Sequence, residues 1–519
     1  MKLHLCLLSL LLPTLVCTGF ARNDADKPKY VTYSQYGAVG DGVADDFEAI
    51  VKAHAAANKA GLPVKADAGA TYYIGGGNRT AHIETDTDWG DAKFIVDDRA
   101  VENRRAFIFE VVSTLPPTKI TTVKTLAKGQ RKLDLKLPHA SFVEAIDKET
   151  LRYIREGVNQ NNGAPQVDVF VVDRRGRVDM DAPIIWDFDN ISSITAYPID
   201  DKTLTVSGGI FTTIANQAES KYNYYARGIK IIRSNVVLDG LRHEITGEGD
   251  HGAPYGGFIS VQRCNGVVVQ NCMLSGHKIY GTIGAANRPV SMGSYDIEVN
   301  RSANTTIRNC RQINDIHDTR RWGIFASNYS KNITFDNVVF SRFDAHMGVA
   351  NATIRNSVLG HQSINLIGCG TFLIENTKVC GGNFLYLRGD YGSTWEGDIV
   401  IRNCEYVPRN GGKLGKSDAV ILSGRYTGMH DFGYPCHMPR KITIDGLTID
   451  DGNRSDSYNG PKLFADFNSK NTNDSYKERY PYAVTEEVEI RGLTSKSGLP
   501  YVLSNNPYMF RNVKITDKK

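Results

Sequence analysis

The sequence predicts an all-β chain wound as a single-stranded parallel β-helix, and three observations lead to that fold. Short strands of alternating apolar and polar residues recur along the chain, and each ends in Asn or Gly. At its shortest the repeat is 19 or 20 residues long, as between Asn337, Asn356 and Asn376, which suits one coil of a β-helix. A composition of 41% hydrophobic and 23% charged residues excludes wholesale disorder and a coiled coil.

Nine segments carry this repeat. They are Val236–Leu241, Val267–Cys272, Thr305–Cys310, Ile333–Val338, Ala352–Ser357, Phe372–Thr377, Ile399–Cys404, Ile442–Leu447 and Val488–Leu493. Because equivalent positions on successive coils stack about 4.8 Å apart, we expect the recurring Asn side chains to form a hydrogen-bonded ladder at a turn. The small residues after each Asn would stack beneath it, namely Cys272, Cys310, Val338, Ser357 and Thr377. This favours buried thiols for the seven cysteines from Cys264 to Cys436, with one or two disulfides as the alternative.

The first residues predict an exported protein. A basic start, a short apolar run from Leu3 to Val16 and small residues before Arg22 are typical of a signal peptide over residues 1–21, with cleavage after Ala21. Lipidation at Cys17 is the alternative. We expect a secreted or periplasmic monomer with no membrane span, since no later apolar stretch is long enough. A net charge of +4 is close to balance, so nucleic acid is not an expected partner.

The repeat also predicts the domain organisation. Residues 22–76 are expected to form an N-terminal cap and first coil, and residues 77–235 early irregular coils with an inserted subdomain that could form one wall of a cleft. Residues 236–460 are expected to form the main parallel β-helix with the substrate groove, followed by C-terminal coils at 461–519. Within the irregular region Ser141–Asn159 is the best candidate for a helix, whereas Asp168–Val172 and Leu204–Ser207 alternate like strands.

The N-terminal cap carries a recognisable motif. It reads Tyr36-Gly-Ala-Val-Gly-Asp-Gly-Val-Ala-Asp-Asp-Phe-Glu-Ala-Ile50, followed by an amphipathic stretch, Phe47–Ala60, and by Ala68-Gly-Ala-Thr-Tyr-Tyr-Ile74. This combination resembles the opening of the pectate-lyase and polygalacturonase superfamily of right-handed parallel β-helices. The resemblance implies a right-handed β-helix with a short capping helix, and turn and helix-start roles for Asp41, Asp45 and Asp46.

Polar residues recur a few places beyond the ladder Asn, on what would be an outer face of the β-helix. His277, Asp315, Asp344 and His361 follow their Asn by six, six, seven and five residues. We therefore expect them on one face of adjoining coils. Five such coils would make a groove about 20 Å long, which suits an extended chain of sugars.

Hydrolysis of a glycosidic bond needs one carboxylic acid to protonate the leaving oxygen and one carboxylate to activate water or attack. Asp315 and Asp344, with Asp318 as a third candidate, are predicted to supply these groups, and His361 completes the predicted catalytic set. The order Asp315, Asp344, Gly360-His361 and Arg388 is similar to the polygalacturonase series, which implies that reaction class but not pectin as the substrate. Substrate binding is expected from His277, Lys278, His317, Arg320, Trp322, Arg342, His346 and Arg388.

Two other functions fit the same residues. A polysaccharide lyase would use Lys278, His317, His346 or His361 as a base, with Arg320 and Arg342 to neutralise a uronate carboxylate. Such a lyase could bind calcium through Asp315, Asp318 and Asp344. A non-catalytic glycan-binding β-helix would use Tyr280, Trp322, Tyr386 and Trp395 as sugar platforms. We expect a glycoside hydrolase that acts on an acidic polysaccharide or oligosaccharide without a metal or cofactor.

Overall fold

The protein is wound as a long stack of short strands. The computed structural model describes residues 29–410 and 415–518, so the signal peptide predicted at 1–21 lies outside the described residues. Thirty-three of the described strands join one parallel sheet, as the repeat predicts. No helix within the described ranges is long and apolar enough to cross a membrane.

The elements follow in chain order. The N-terminal coils contain helix α1 (Phe47–Ala60) and the strands β1 (Val31–Thr32), β2 (Asp41–Asp45), β3 (Val64–Lys65), β4 (Thr71–Ile74), β5 (Ala81–Ile83), β6 (Thr87–Asp88), β7 (Lys93–Asp97) and β8 (Phe109–Val111). The insert contains β9 (Thr118–Lys119), β10 (Ser141–Arg152), β11 (Ala164–Val172) and β12 (Ser193–Pro198). The central coils contain β13 (Leu204–Ser207), β14 (Ile210–Ile214), β15 (Ile229–Ile231), β16 (Val236–Asp239), β17 (Arg242–Thr246), β18 (Gly256–Gln262), β19 (Val267–Gln270), β20 (Met273–Leu274), β21 (Tyr280–Ile283), β22 (Pro289–Met292), β23 (Tyr295–Asn300), β24 (Ala303–Arg308), β25 (Arg311–Gln312), β26 (Phe325–Asp336), β27 (Val339–Phe340), β28 (Phe343–Arg355) and β29 (Val358–Leu359). The remaining strands are β30 (Ile364–Leu366), β31 (Gly368–Glu375), β32 (Lys378–Gly381), β33 (Leu385–Leu387), β34 (Trp395–Pro408), β35 (Val420–Ser423), β36 (Cys436–His437), β37 (Lys441–Ile449), β38 (Lys462–Phe464), β39 (Tyr482–Ala483), β40 (Glu487–Ser495) and β41 (Lys514–Asp517). Two single-turn 3-10 helices lie at Ser34–Tyr36 and Gly389–Tyr391.

The N-terminal motif builds the cap as predicted. The Asp41 carboxylate accepts the backbone N–H groups of Val43 and Ala44, and Asp45 accepts the N–H of Phe47 at the start of α1. These carboxylates satisfy backbone donors at a turn and at a helix start, so they are structural. The helix ends at Gly61, whose φ of 64° closes the last turn.

The parallel sheet consists of columns of stacked strands. The repeat segments form one column, in which β16, β19, β24, β26, β28, β31, β34, β37 and β40 pair in succession. A second column runs through β8, β15, β18, β23, the first half of β26 and the first half of β28. Alternate side chains of both columns fill one continuous apolar core, so the others must face outward. The outward side chains of the second column form the floor of the site described below.

The predicted Asn ladder is confirmed. Asn337 Nδ2 donates to Asn309 Oδ1 (2.9 Å), and Asn309 Nδ2 donates to Asn271 Oδ1 (3.3 Å). The φ of Asn337 is 55°, a left-handed conformation that Asn tolerates better than most residues. The small residues beneath the ladder are buried, and all seven cysteines from Cys264 to Cys436 are free.

The insert is a small antiparallel sheet, and here the helix prediction is wrong. Strand β10 occupies most of Ser141–Asn159, because it pairs with β11 on one side and β12 on the other. The prediction failed since long-range strand pairing outweighed the helix-forming residues of this stretch. Two ion pairs fasten the insert to the β-helix. In the buried pair Asp168 Oδ1 lies 2.7 Å from Lys331 Nζ, and in the half-buried pair Glu144 Oε1 lies 3.0 Å from Arg301 Nη1.

Candidate functional site

A cleft of about 930 Å³ lies on the outward face of the second column. Its floor crosses the five strands β15, β18, β23, β26 and β28, which span about 20 Å at the usual strand spacing. The hairpin β21–β22 forms part of one wall, and the insert contributes Arg155, Val158 and Asn159. This cleft also crosses five coils, but its floor is the second column and not the residues that follow the ladder Asn, where the groove was predicted. The insert forms one of its walls.

Glu298 lies on the floor of this cleft, in the middle of β23. Its neighbours Ile297 and Val299 are buried in the core, so the alternation of the strand turns Glu298 outward. Burial raises the pKa of the Glu298 carboxyl from 4.5 to about 7, although hydrogen bonds with Asn300 and Ser260 oppose that rise. Glu298 is therefore largely protonated below neutrality and can donate a proton to a ligand in the cleft.

Asp390 lies in the same cleft with the opposite electrostatic environment. Arg388 Nη2 and Arg155 Nε each lie 3.1 Å from its Oδ2 atom, and 30% of its side chain is exposed. Burial by itself would raise the pKa of Asp390, but the two guanidinium groups outweigh it and the pKa lies below its ordinary value. Asp390 is thus an ionised carboxylate that solvent can reach.

Asp344 does not line the cleft as Glu298 and Asp390 do, but lies below its surface. Its side chain is fully buried, with Oδ2 2.5 Å from Arg342 Nη2 and Oδ1 2.9 Å from Arg388 Nη1. Arg342 in turn lies over the ring of Trp322, 5.1 Å from its centroid. Asp344 therefore fixes two arginines, and its catalytic role stays a prediction.

His346 extends the same network on β28. Arg155 Nη2 lies 2.7 Å from His346 Nε2, and His346 Nδ1 lies 3.0 Å from Asn328 Oδ1. Because Arg can only donate, Nε2 is the acceptor and Nδ1 carries the proton. Burial lowers the pKa of His346 well below its ordinary value, and the neighbouring arginines lower it further. The imidazole is neutral, but its lone pair already accepts a hydrogen bond.

The predicted site residues separate into three groups. Trp322, His346 and Arg388 line the cleft, and Arg342 and Asp344 support it from below. A second group surrounds the turn at 315–320 and comprises Asp315, His317, Asp318, Arg320 and His361. The third group is His277 and Lys278, which lie beside Glu248. The sequence offsets therefore did not bring His277, Asp315, Asp344 and His361 together at one cleft.

In the second group the carboxylates take part in local contacts. Asp315 accepts the backbone N–H of His317 at 2.9 Å, which is a turn contact. The Arg320 guanidinium donates two hydrogen bonds to Asp318, at 2.8 and 2.9 Å, and these lower the pKa of the Asp318 carboxyl. His361 packs against the same turn, because its backbone N–H and Nδ1 both contact the carbonyl of Ile316. Catalysis by Asp315, Asp318 and His361 stays a prediction.

The third group is a buried charge cluster. His277 Nδ1 lies 3.4 Å from Glu248 Oε1, and its Nε2 lies 3.8 Å from Asp296 Oδ1. Asp296 also contacts His243 Nδ1 at 2.6 Å. Lys278 Nζ donates to the carbonyl of Gly249 at 2.6 Å. The substrate-binding role predicted for His277 and Lys278 is untested.

The residues present do not fit the calcium site that a lyase could use. The Asp344 oxygens already contact two arginines, and Asp318 is paired with Arg320. No cluster of three or more His, Cys, Asp or Glu side chains with metal-binding geometry occurs in the part of the chain that the structure describes.

Three residues of the cleft were missed from sequence. Glu298 precedes Asn309, the ladder Asn of its coil. The candidate residues were taken only from the stretches that follow each ladder Asn. Asp390 stands two places after Arg388, so a search for carboxylates beside predicted cations could have found it. Arg155 follows β10 in the insert, where no repeat gives a register.

Comparison with known proteins shows the fold. No protein-family model and no curated protein matches the chain. Similar solved structures include the tailspike of Pseudomonas phage phi297, with 14% identity and a TM-score of 0.54 over 90% of this chain and 80% of that chain. A second is the tailspike of Pseudomonas phage LKA1, with 14% identity and a TM-score of 0.52 over 93% of this chain and 84% of that chain. A third is the tailspike of Acinetobacter baumannii bacteriophage AP22, solved in complex with a capsular saccharide, with 10% identity and a TM-score of 0.52 over 94% of this chain and 79% of that chain. With the columns of parallel strands, these likenesses identify the chain as a right-handed parallel β-helix protein.

Proposed function

We propose that the chain is an exported glycoside hydrolase that cleaves an anionic polysaccharide or oligosaccharide in the cleft. Glu298 acts as the general acid on the leaving oxygen, and Asp390 acts as the general base on the attacking water. One observation carries this proposal: two carboxyl groups of opposite protonation face the same cleft. Glycosidic hydrolysis requires such a pair, one protonated and one ionised.

The charge of the cleft supports an anionic substrate. Four cations line it, Arg105, Arg155, Lys230 and Arg388, against the carboxyl groups of Glu298 and Asp390. With Glu298 protonated, the excess of positive charge is larger still. Tyr224, Tyr295 and Trp322 add aromatic surface, on which sugar rings pack. The saccharide bound to the AP22 tailspike, a protein of the same fold, also favours a glycan as the ligand.

Elimination by a lyase is the second candidate, because His346 is a neutral imidazole between arginines. A lyase would use its lone pair to remove the proton beside a uronate carboxylate. In this structure that lone pair accepts a hydrogen bond from Arg155, so Arg155 would first have to move. Glu298 needs no such movement, and Asp390 has further acceptor lone pairs and stays 30% exposed beside its two arginines, so we favour hydrolysis.

The test follows two products at once. The protein is incubated with uronate-containing, sulfated and neutral glycans, and both reducing ends and the ultraviolet absorbance of unsaturated uronates are recorded. We expect reducing ends without absorbance, from anionic glycans only. Glu298→Gln and Asp390→Asn should each lower kcat by about 10²–10⁴-fold. The matched control is Glu375→Gln, which removes a carboxylate of the repeat column that pairs with Arg402, and it should keep full activity.

Other outcomes would change the assignment. Absorbance that rises with the reducing ends, and is lost in His346→Gln, would establish the lyase. Full turnover in both cleft variants together with loss in Asp315→Asn would return catalysis to the pair predicted from sequence. Tight glycan binding without any product would favour the binding protein.

A further inference from the structure

A second cavity, partly open to solvent, lies between the insert and the β-helix. Its volume is about 280 Å³, which equals the volume that about nine water molecules occupy in the liquid. We propose that this cavity is a binding site for a single neutral sugar ring, separate from the catalytic cleft. The proposal does not depend on the function proposed for the cleft.

Aromatic rings form much of the wall. Trp186, Tyr153, Tyr329 and Tyr434 all line the cavity, and Arg152 stacks on Trp186 at 4.6 Å from the ring centroid. Tyr153 contacts the rings of Tyr329 and Tyr434, with centroids 5.6 and 5.2 Å apart. Rigid aromatic faces of this kind pack against the C–H faces of a sugar ring and exclude water.

The charges of the wall are balanced, unlike those of the cleft. Three cations, Lys128, Arg152 and Lys331, accompany three carboxylates, Asp168, Asp187 and Glu396. A neutral ligand therefore fits the cavity better than an anion, whose charge would meet no net opposite charge there.

One buried donor of the wall is incompletely used. The Lys331 ammonium lies 2.7 Å from Asp168 Oδ1 and donates to the carbonyl of Pro183. Among the described residues its third N–H has no acceptor, and the side chain is only 2% exposed. The Asp168 oxygens accept the backbone N–H groups of Val169 and Ile185, so this pair stays in place. A sugar hydroxyl could accept the remaining N–H.

An exposed ion pair lies at the rim of the cavity, where a ligand can enter. Lys128 Nζ of the insert lies 2.6 Å from Glu396 Oε1 on β34, and both side chains line the cavity and are about half exposed. A solvent-exposed ion pair adds little stability, so opening this contact costs little. Tyr153, Tyr329 and Gly348 line the cavity, and they lie next to Met347, which lines the cleft. These residues therefore stand between the cavity and the cleft.

Binding is tested with matched pairs of sugars. Glucose and galactose are titrated against glucuronate and galacturonate by calorimetry and by tryptophan fluorescence, since Trp186 lines the cavity. We expect at least one neutral sugar to bind with a Kd on the order of millimolar, and its uronate at least tenfold more weakly. Cys369 lines the cavity and is the one cysteine of the seven described that is not fully buried. Cys369→Phe, which fills the cavity, should abolish binding, while Cys369→Ser should preserve it.

Two further measurements make the test independent of folding and of the cleft. A saturating neutral sugar should slow thiol labelling of Cys369 in the unmodified protein, which needs no variant. Glu298→Gln should bind the neutral sugar with unchanged Kd. The proposal is overturned if no neutral sugar binds, if only an apolar probe such as indole binds, or if the uronates bind as well. It is also overturned if Glu298→Gln loses the binding.

Discussion

The protonation of each carboxyl group in the cleft is decided by its immediate neighbours. Glu298 is desolvated and has hydrogen bonds only with neutral groups, which raises its pKa to about 7. Asp390 lies against two guanidinium groups, which lower its pKa despite burial. Asp344 also contacts two arginines but is fully buried, so it is suited to hold them in place. The three side chains are chemically alike, and only their surroundings separate their roles.

The raised pKa of Glu298 predicts how stability depends on pH. The ionised carboxylate is disfavoured in the folded state, so the native protein loses stability as pH rises from about 4.5 through about 7. Glu298→Gln lacks this loss. We expect its Tm, relative to that of the unmodified protein, to be higher at pH 8.5 than at pH 4.5. An equal difference at both pH values would contradict the desolvated environment of Glu298.

The same pKa values predict the shape of the pH–rate profile. The acid Glu298 must be protonated, so kcat/KM should fall as pH rises through about 7. The base Asp390 must be ionised, and its lowered pKa keeps activity present below the range where an ordinary aspartate would titrate. Kinetics from pH 3 to pH 9 test this. An alkaline limit well above pH 7 would argue against Glu298 as the acid.

Asp344 should act mainly on the positions of Arg342 and Arg388. Asp344→Asn removes the carboxylate partner of the buried Arg342 and one of the two carboxylate partners of Arg388, which we expect to cost about 3–5 kcal/mol in the free energy of unfolding. Asp315→Asn is the matched control, because Asn can also accept the turn hydrogen bond and the cost should be small. Denaturant unfolding measures both. In Asp344→Asn the alkaline limit near pH 7 should persist, whereas a shifted limit would indicate that Asp344 is itself the titrating group.

At the level of elements, turns that stack define the coils. The sequence repeat revealed one Asn ladder, and the structure contains a second. Asn332 Nδ2 donates to Asn304 Oδ1 at 2.8 Å, and Asn304 Nδ2 donates to Asn265 Oδ1 at 2.7 Å. The sequence repeat was defined by the Asn at the end of each strand. Asn265, Asn304 and Asn332 lie just before the same repeat segments, so the second ladder was not predicted.

Two substitutions at the ladder residue Asn337 distinguish the contribution of its left-handed backbone from that of its side-chain hydrogen bond. Asn337→Ala loses a hydrogen bond and places at a φ of 55° a residue without the polar side chain that helps Asn to tolerate this left-handed conformation. We expect a loss of about 2–3 kcal/mol in the free energy of unfolding. Asn337→Gly loses only the hydrogen bond and should cost about 1 kcal/mol. Equal losses in the two variants would show that the left-handed turn contributes nothing to the requirement for Asn.

For the whole molecule, the insert matters because it completes the cleft and forms one side of the second cavity. Its attachment includes the buried ion pair of Lys331 with Asp168. The residues that line the cleft are far apart in the sequence, from Arg105 to Asp390, and one of them, Arg155, belongs to the insert. The wall of the site therefore depends on the docking of a separate antiparallel sheet.

The sequence by itself determined the winding of the chain. The alternation of the strands, the ladder Asn residues, the small residues beneath them and the N-terminal motif all act between neighbouring residues or neighbouring coils. The resemblance of the N-terminal motif to a known superfamily implied the cap and helix α1, whereas the repeat leaves a periodic record from which the repeat column was predicted. The same record located Trp322, His346 and Arg388, which line the cleft, and Arg342, which supports it.

Only the tertiary structure decided which side chains share a site and in which protonation state. Asp315 makes a turn contact and does not line the cleft that contains Glu298, and strand pairing placed β10 where a helix was expected at Ser141–Asn159. The pKa values of Glu298 and Asp390 differ because burial raises the first, whereas Arg388 and the sequence-distant Arg155 lower the second. Such desolvation and long-range pairing have no period along the chain, so no spacing rule could have revealed them.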